Sequence, residues 1–253
     1  QEVILQQATM YYTPIQSRSK WTNLQYQDLH AAKAYVYKSA VSTQRVREVV
    51  EQICFDSIQE IHAVSVLGEV FEKQFSSEIK KIAGIDIKFH VSQANSFGVM
   101  LAYANPSTYG ADRYAALIAA HHKTPGAKIV IDCGTATTVD VIDANGQHRG
   151  GLIIPGIQLM CSALANKAAG ITLPKHANPS QLFNDNTADA VYSGSALVLS
   201  HGVNGIIQQI VSKINEPVTV YVTGGESHMM AHADIDYVAC PHLVLEGLQI
   251  MQG

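Results

Sequence analysis

The sequence has no basic excess, no paired cysteine motif and no long apolar run. Lysine and arginine number 17 against 21 aspartates and glutamates, and this net charge of −4 argues against a nucleic-acid partner. The four cysteines, Cys54, Cys133, Cys161 and Cys240, are widely separated, which favours reduced, mostly buried thiols in a cytoplasmic protein. No stretch reaches the roughly 18 apolar residues of a membrane span, and no basic and apolar leader opens the sequence, so we expect neither feature.

The sequence also lacks the Walker A pattern G-x-x-x-x-G-K-[ST], which disfavours that class of nucleotide-binding fold. Because cations are scarce, any bound phosphate would be held mainly by backbone N–H groups, helix ends and metal ions. The 253 residues are 47% hydrophobic and 15% charged, which is typical of a folded chain with one large α/β unit or two modest domains.

Apolar runs alternate with helical stretches along the chain, and this alternation predicts an α/β fold. Strands are predicted at 1–12, 60–67, 86–91, 127–132, 137–142, 149–154 and 218–223. Helices are predicted at 42–54, 69–82, 112–122 and 156–168, at 187–214 as one helix or two, and from 243 onward. Asn145-Gly146 predicts a hairpin turn between the fifth and sixth of these strands. We place a domain boundary near residue 110, between a first domain at 1–110 and a second at 111–253.

The richest local pattern is I-V-I-D-C-G-T-A-T-T at 129–138, where a buried strand delivers Asp132 to a tight turn. Gly134 permits the turn, and the threonines around it supply hydroxyls and unpaired backbone N–H groups. Such a turn can hold phosphate oxygens while the carboxylate holds a cation or water. The alternative is an ordinary β-hairpin whose Asp and Thr side chains only satisfy turn groups.

A second pattern, Y-A-N-P-S-T-Y-G-A-D-R at 103–113, is a loop that runs into a helix beginning near Asp112. Asp112 beside Arg113 would place a proton acceptor next to an anion-binding cation. A carboxylate at the start of a helix is also a common capping residue, so that interpretation stays open.

Two weaker patterns follow further along the chain. N-D-N-T at 184–187 precedes a helix of small residues, and V-T-G-G-E at 222–226 ends a strand. Glycines after a strand let a nucleotide approach the backbone closely. A helix cap is an equally good interpretation of the first pattern, and an ordinary strand-to-helix turn is an equally good interpretation of the second. Neither pattern is decisive alone.

Taken in order, Y-x-N-P, G-A-D-R, I-D-C-G-T-A-T-T, G-G-L-I-I-P-G, D-N-T and T-G-G resemble the pattern of type III pantothenate kinases. The resemblance extends from about Tyr103 to Leu248, and the segment before it is compatible but not distinctive. It implies two ribonuclease H-like domains of the actin/Hsp70/sugar-kinase type, with ATP bound in the cleft between them. It also implies a cytoplasmic homodimer that uses ATP with Mg²⁺, and K⁺ or NH₄⁺, to phosphorylate pantothenate in coenzyme A biosynthesis.

The resemblance assigns the substrate site by position. The pantothenate-binding segment would be Gly110, Ala111, Asp112 and Arg113. Asp112 would accept the proton of the attacking hydroxyl, Arg113 would fix substrate or charge, and Tyr103 would line the pocket.

The remaining implied roles fall in the second half of the chain. Asp132 resembles the ligand of the monovalent cation, and Thr135 resembles the residue that contacts ATP phosphates. Thr187 resembles a pantothenate contact supplied across a homodimer interface, near which the active site would lie. Cys133 stands where the family often has Phe, a change that we expect to be tolerated.

One family element has no counterpart in this sequence: the opening strand and D-x-G-N-[ST] loop, the family's first phosphate-binding element. Residues 1–12 resemble the strand that follows that loop. A trimmed chain and a true loss of the loop both fit, and the non-Met start favours trimming. We expect a chain without the loop to be catalytically impaired and its first domain to lack its opening, central strand.

Two other functions stay open. Another small-molecule kinase of the superfamily, acting on a sugar or a short acid, is disfavoured by G-A-D-R. A regulator or scaffold that has lost catalysis is favoured by the missing loop, but Asp112, Asp132 and Thr187 oppose it.

Overall fold

The structure is a computed structural model that describes residues 8–15, 34–37, 60–167 and 181–252. Strands and helices alternate in it, so the predicted mixed α/β class is confirmed. The described residues fall into two units: one combines residues up to Ala119 with those from His242 onward, and the other spans Ala120–Pro241. The domain boundary near residue 110 stays a prediction, and the last helix belongs by its contacts to the first unit.

The predicted elements that the structure describes occur in the predicted order, and four further short strands, at 34–37, 95–96, 99–100 and 238–239, were not predicted. The strands are Ala8–Ile15 (β1), Ala34–Tyr37 (β2), Glu60–Val64 (β3), Ile87–Phe89 (β4), Asn95–Ser96 (β5), Val99–Met100 (β6), Ala127–Cys133 (β7), Ala136–Ile142 (β8), His148–Pro155 (β9), Val218–Thr223 (β10) and Val238–Ala239 (β11). The α-helices are Glu69–Ala83 (α1), Ala111–Lys123 (α2), Ile157–Lys167 (α3), Thr187–Val211 (α4) and Leu243–Met251 (α5). Two 3₁₀ turns cover Pro106–Thr108 and Ser227–His232.

The first unit contains a sheet in the order β2-β1-β3-β4. β1 is antiparallel to both β2 and β3, whereas β3 and β4 are parallel. Among the described residues, β1 pairs directly with β3, from Tyr11 opposite Val64 to Ile15 opposite Glu60. The described part of the strand predicted at 1–12 is confirmed, and β1 continues to Ile15. Residues 1–7 and the helix predicted at 42–54 lie outside the described residues.

Helix α1 joins the two parallel strands, and its sequence explains both its packing and its end. Phe71, Phe75 and Ile79 recur every four residues and are buried, which is the stripe of an amphipathic helix. Gly84 takes the left-handed φ of 70°, and its N–H donates to the carbonyl of Lys80 at 3.0 Å. Glycine ends a helix well because this conformation costs it nothing. The predicted helix with its glycine stop is confirmed.

The C-terminal helix α5 packs against β1 and β3 of the first unit. Gly247 of this helix approaches the backbone carbonyl of Ala115 in α2 so closely that a side chain would not fit. Two helices that meet at a glycine can bring their backbones together, which seats α5 in the first unit's core. Leu243, Val244 and Leu248 of α5 are buried there.

The second unit contains a sheet in the order β11-β10-β7-β8-β9. β10 and β11 are parallel, as are β10 and β7, while β7, β8 and β9 form an antiparallel meander. Asp143 closes the β8–β9 turn, because its Oδ1 accepts the N–H groups of Asn145 and Gln147, both at 2.9 Å. Gly146 takes the positive φ of 80°. The hairpin predicted from Asn145-Gly146 is confirmed.

Helices α3 and α4 pack on one face of this second sheet. The shared core includes Ile129 and Ile131 of β7, Val139 of β8, and Leu199 and Val203 of α4. Alternate strand residues enter the core because successive side chains in a strand point to opposite faces. α4 is continuous over 25 residues, so the one-helix alternative for 187–214 is correct.

Three cysteines fall within the described residues. Cys133, Cys161 and Cys240 are buried and free, as the sequence predicted, whereas Cys54 lies outside that part of the chain. None of the described helices combines the length and the apolar character that crossing a membrane requires.

Candidate active site

The carboxyl end of β7 brings Asp132 and Cys133 to an edge of the second sheet. Asp132 lies opposite Thr223, the last residue of parallel β10, and opposite Thr138 of antiparallel β8. Because parallel strands end at the same edge, T-G-G at 223–225 and D-C-G-T at 132–135 meet there. Ligands of open α/β sheets bind beyond this carboxyl edge. Two separate sequence patterns therefore lie together at one edge of the second unit's sheet.

The turn between β7 and β8 is held on one side by Gly156. The N–H of Gly134 donates to the carbonyl of Ala136 at 3.1 Å, and the N–H of Gly156 donates to the carbonyl of Thr135 at 2.8 Å. A Cβ on Gly156 would lie 2.5 Å from the Thr135 carbonyl oxygen and would also collide with the Gly134 carbonyl. Real side chains do not tolerate such contacts, so the last glycine of G-G-L-I-I-P-G is required by the turn.

Gly224 packs against the other side of the same segment. Its φ is +94°, and a Cβ there would lie 2.5 Å from Asp132 Oδ1 and would collide with the Cys133 carbonyl oxygen. The N–H of Glu226 donates to that carbonyl at 2.9 Å. Gly225, in contrast, has open space around it. The first glycine of T-G-G therefore lets the β10 turn close over Asp132 and restrict its carboxylate.

Cys133 cannot serve as a nucleophile in this site. Burial, and then the negative charges of Asp132 and Glu226, raise the pKa of the Cys133 thiol to about 12. The thiolate is the reactive form of cysteine, and a thiol with this pKa stays protonated near neutral pH. Cys133 is therefore a buried core residue.

The threonines of the hairpin divide between the two faces of the sheet. Thr137 lies opposite Cys133, whereas Thr138 lies opposite Asp132 and shares its face. Thr137 Oγ1 is buried and has no hydrogen-bond partner in the part of the chain that the structure describes. Thr135 lies in the turn itself and is partly exposed. Thr135 and Thr138 are therefore the hydroxyls best placed to act with Asp132.

Asp112 lies in the first turn of α2, in the first unit. Its Oδ1 accepts the backbone N–H of the next residue, Arg113, at 2.7 Å, which is a local contact and not the capping bond to a residue two or three positions later. A Cβ on Gly110 would lie 2.8 Å from that oxygen and 3.6 Å from Arg113 Cδ. Gly110 therefore leaves room for both side chains, and the buried Ala111 begins the helix. The role of Asp112 as a proton acceptor stays a prediction.

Arg113 and Tyr103 are connected by a residue that the sequence analysis did not single out, Tyr109. The guanidinium carbon of Arg113 lies 4.5 Å from the centroid of the Tyr109 ring. The Tyr103 ring meets the same ring at a centroid distance of 4.9 Å, with the two planes inclined at 69°. The available signal was an aromatic residue directly before G-A-D-R, which periodicity alone does not distinguish from an ordinary core residue.

Thr187 is the exposed first residue of α4, and Asn186 caps the helix by accepting the N–H of Asp189 at 2.9 Å. Thr187 lines an open groove of about 980 Å³ between α3 and α4. The exposed Val198 and Pro155 also line the groove. Pro155 directly precedes Gly156, the glycine that contacts the β7–β8 turn. The groove therefore extends from the β7–β8 turn along a largely apolar helix pair.

The structure places the sequence-predicted residues in two groups. Asp132 and Thr135 lie together in the second unit, where Thr187 lines the adjoining groove. Tyr103 and Arg113 lie together in the first unit, next to Asp112. The described residues contain no group of three or more His, Cys, Asp or Glu side chains that could hold a metal ion.

Comparison with known proteins adds independent information. A family model described as type III pantothenate kinase matches residues 17–209, a range that contains all the predicted site residues. The type III pantothenate kinase of Laribacter hongkongensis is 36% identical over 185 residues, which cover 72% of this chain and 77% of that relative. The type III pantothenate kinase of a Janthinobacterium species is 39% identical over 170 residues, which cover 65% of this chain and 65% of that relative.

Solved structures give a similar picture of the fold. A conserved Baf family protein from Campylobacter jejuni matches with a TM-score of 0.51 at 19% identity, over 87% of this chain and 90% of that one. A match at this low identity shows the fold alone. The arrangement of strands and helices is therefore one that a known protein adopts with a very different sequence.

Proposed function

The chain belongs to the type III pantothenate kinase family, and we propose that it transfers the terminal phosphoryl group of ATP to the primary hydroxyl of pantothenate. The product is 4'-phosphopantothenate, and the reaction is the first step of coenzyme A biosynthesis. The observation that carries this proposal is the family match over residues 17–209, which includes the G-A-D-R and D-C-G-T segments. ATP and pantothenate are the substrates that the family implies.

Asp112 acts in this proposal as the acceptor of the hydroxyl proton. Its position in the first turn of α2 and its bond from the Arg113 N–H fix the carboxylate at a helix N-terminus. Phosphoryl transfer passes through a loose transition state, so the proton leaves late and a carboxylate suffices to receive it. The main contribution of the residue is then to orient the hydroxyl for in-line attack on the γ-phosphorus.

The residues around Asp112 hold pantothenate. The guanidinium of Arg113 supplies planar N–H donors for an anionic group, and Tyr103 lines the pocket. Gly110 has no side chain, which leaves room for the Asp112 carboxylate and the Arg113 stem beside it. The clustering of Tyr103 and Arg113 around one ring supports their assignment to the same pocket.

The β7–β8 turn holds the phosphates and a monovalent cation. Asp132, at the end of its strand, offers a carboxylate to K⁺ or NH₄⁺, and the Thr135 hydroxyl and turn N–H groups offer donors to phosphate oxygens. Gly156 and Gly224 support this assignment, because they let two further backbone segments close around the turn. Mg²⁺ enters with the ATP phosphates, which is its usual mode in kinases. The bound cations balance phosphate charge that the acidic chain has few basic side chains to neutralise.

The groove between α3 and α4 supports a homodimer with Thr187 at its interface. Leu164 and Val198 line the groove and are 46% and 68% exposed, and the neighbouring Phe183 is 89% exposed. Large apolar side chains this exposed are typical of protein–protein contact surfaces. In this proposal a second copy covers them, and Thr187 contacts pantothenate across the interface.

A coupled assay of ADP release tests the function. The full-length protein should release ADP only when pantothenate is present, and the rate should rise when K⁺ or NH₄⁺ replaces Na⁺. The Asp132→Ala variant should lose both the activity and the response to K⁺. ADP release with a sugar but not with pantothenate would favour another kinase of the superfamily, and none with any acceptor would favour a regulator. The cytoplasmic location stays a prediction from the cysteine pattern.

A further inference from the structure

Tyr109 lies between two of the residues assigned to the substrate in the first unit. The Arg113 guanidinium carbon lies 4.5 Å from its ring centroid, and the Tyr103 ring centroid lies 4.9 Å away. Tyr109 is 3% exposed and Arg113 is 7% exposed. One buried aromatic ring therefore contacts both side chains.

The backbone of Tyr109 is held in place by its own chain, without a ligand. The buried Ser92 hydroxyl donates to the Tyr109 carbonyl oxygen at 2.9 Å, and the Tyr109 N–H donates to the Pro106 carbonyl at 3.0 Å. The preceding turn is fixed as well, because the Asn105 side chain accepts the N–H of Ser107 at 3.2 Å. These bonds hold the residue on both sides of its Cα, so the position of the ring is set before substrate arrives.

The ring matters because of the charge that it faces. Arg113 as a whole residue is only 7% exposed, so its side chain has lost most of its water, and the electron-rich face of an aromatic ring replaces part of that hydration. The N–H donors of a guanidinium lie in its plane, so contact through its face does not compete for them. The ring can therefore orient Arg113 without itself taking up any of the guanidinium N–H donors.

We propose that Tyr109 is a positioning residue for pantothenate, whose ring holds the Arg113 guanidinium and the Tyr103 ring in the geometry that the substrate needs. The inference rests on the proposed function, because that function assigns Arg113 and Tyr103 to the substrate. Tyr109 acts through these two side chains and not on the reacting atoms. It extends the substrate-binding segment by one residue, to the aromatic position directly before G-A-D-R.

Four variants separate the ring from the hydroxyl and from general packing. Tyr109→Phe keeps the ring, whereas Tyr109→Leu and Tyr109→Met remove it and keep apolar volume. Tyr221→Leu removes a tyrosine that is 2% exposed in the second unit, and it controls for the loss of any buried ring. Isothermal titration with pantothenate gives the dissociation constant of each folded variant, and thermal unfolding gives its Tm.

We expect Tyr109→Leu and Tyr109→Met to raise the dissociation constant about tenfold, since a desolvated cation–π contact is worth about that factor. Tyr109→Phe should stay within about twofold of the parent, because it retains the ring face. In the full-length protein, KM for pantothenate should rise in parallel, while KM for ATP and kcat change little. Tyr221→Leu should lower Tm without changing pantothenate affinity.

Two results would overturn the inference. One is a dissociation constant for Tyr109→Leu or Tyr109→Met within about twofold of the parent, because the ring would then contribute little. The other is an equal loss in Tyr109→Phe, because the effect would then belong to the hydroxyl. A parent that does not bind pantothenate at all would refute the proposed function itself, so the two failures are distinguishable.

Discussion

Replacing Gly224 with alanine tests whether the T-G-G turn restricts Asp132. The φ of +94° at this position costs an L-residue about 1–2 kcal/mol. The added methyl group would lie 2.5 Å from Asp132 Oδ1 and 2.6 Å from the Cys133 carbonyl carbon, so the turn has to move by about 1 Å to reach ordinary contact. Overpacking of this kind costs about 1–3 kcal/mol more. The free energy of unfolding should therefore fall by about 2–5 kcal/mol.

Gly225→Ala is the matched control, because it adds the same methyl group one residue later. A Cβ at Gly225 meets no atom within 4 Å, and its φ lies outside the positive region. Urea unfolding followed by circular dichroism should show Gly225→Ala within about 0.5 kcal/mol of the parent. If Gly224→Ala is as mild as Gly225→Ala, the close approach of the turn to Asp132 is wrong.

The Gly224→Ala substitution should also lower the catalytic rate. A displacement of about 1 Å in a positioned group can lower turnover by about 100-fold. We therefore expect Gly224→Ala in the full-length protein to lower the rate of ADP release. It should also raise the K⁺ concentration that gives half of the maximal rate. An unchanged response to K⁺ in a variant with lower stability would separate the turn from the cation site and contradict this reasoning.

Three further predictions concern other parts of the chain. Lys128→Met should raise the free energy of unfolding by about 1–3 kcal/mol, because Lys128 is 1% exposed and its side-chain ammonium makes no hydrogen bond or ion pair among the described residues. Burial accordingly lowers the pKa of that ammonium. In urea unfolding, an equal gain in the exposed Lys213→Met would contradict this. Burial lowers the pKa of His90 below 6.5, so the folded state binds fewer protons than the unfolded state and stability should fall as pH drops below that value. Urea midpoints on both sides of that pH measure the loss, and a His90→Asn variant that loses as much would refute the cause. Val198→Lys should convert the proposed dimer to a monomer in analytical sedimentation. Val211→Lys lies at the end of α4 and outside the groove, so that variant should stay dimeric. A dimeric Val198→Lys would exclude the groove as the dimer interface.

Sequence alone predicted the elements whose signals are local. Gly84 ends α1 because the left-handed conformation is a property of the glycine itself, and Asn145-Gly146 turns the hairpin for the same reason. Helix α4 was harder to predict from the sequence, because small residues such as Gly202 and Gly205 are compatible with either one helix or two. Its packing in the core of the second unit favours the continuous helix, and local helix propensity does not predict such packing.

The site was predicted in part, for a related reason. The pattern at 129–138 predicted that Asp132 lies at the end of a strand and Thr135 in the turn after it, and the structure has them there. Strand ends and turns can be located from short segments. The contacts of Gly156 and Gly224 with that turn join segments far apart in the chain, so only the folded sheet reveals them. The contribution of Tyr109 depends on where its ring points, and periodicity predicts burial but not direction.

The most direct test is the rate at which the full-length protein converts pantothenate into phosphopantothenate, with Asp112 intact and with Asp112→Asn. ³¹P NMR follows the new phosphomonoester signal as the γ-phosphate signal of ATP decays. We predict that the parent forms this product and that Asp112→Asn lowers the rate by about 100-fold or more, which is the usual contribution of a positioned proton acceptor. A rate within a few-fold of the parent would contradict the role of Asp112, and a parent that forms no phosphomonoester would contradict the function itself.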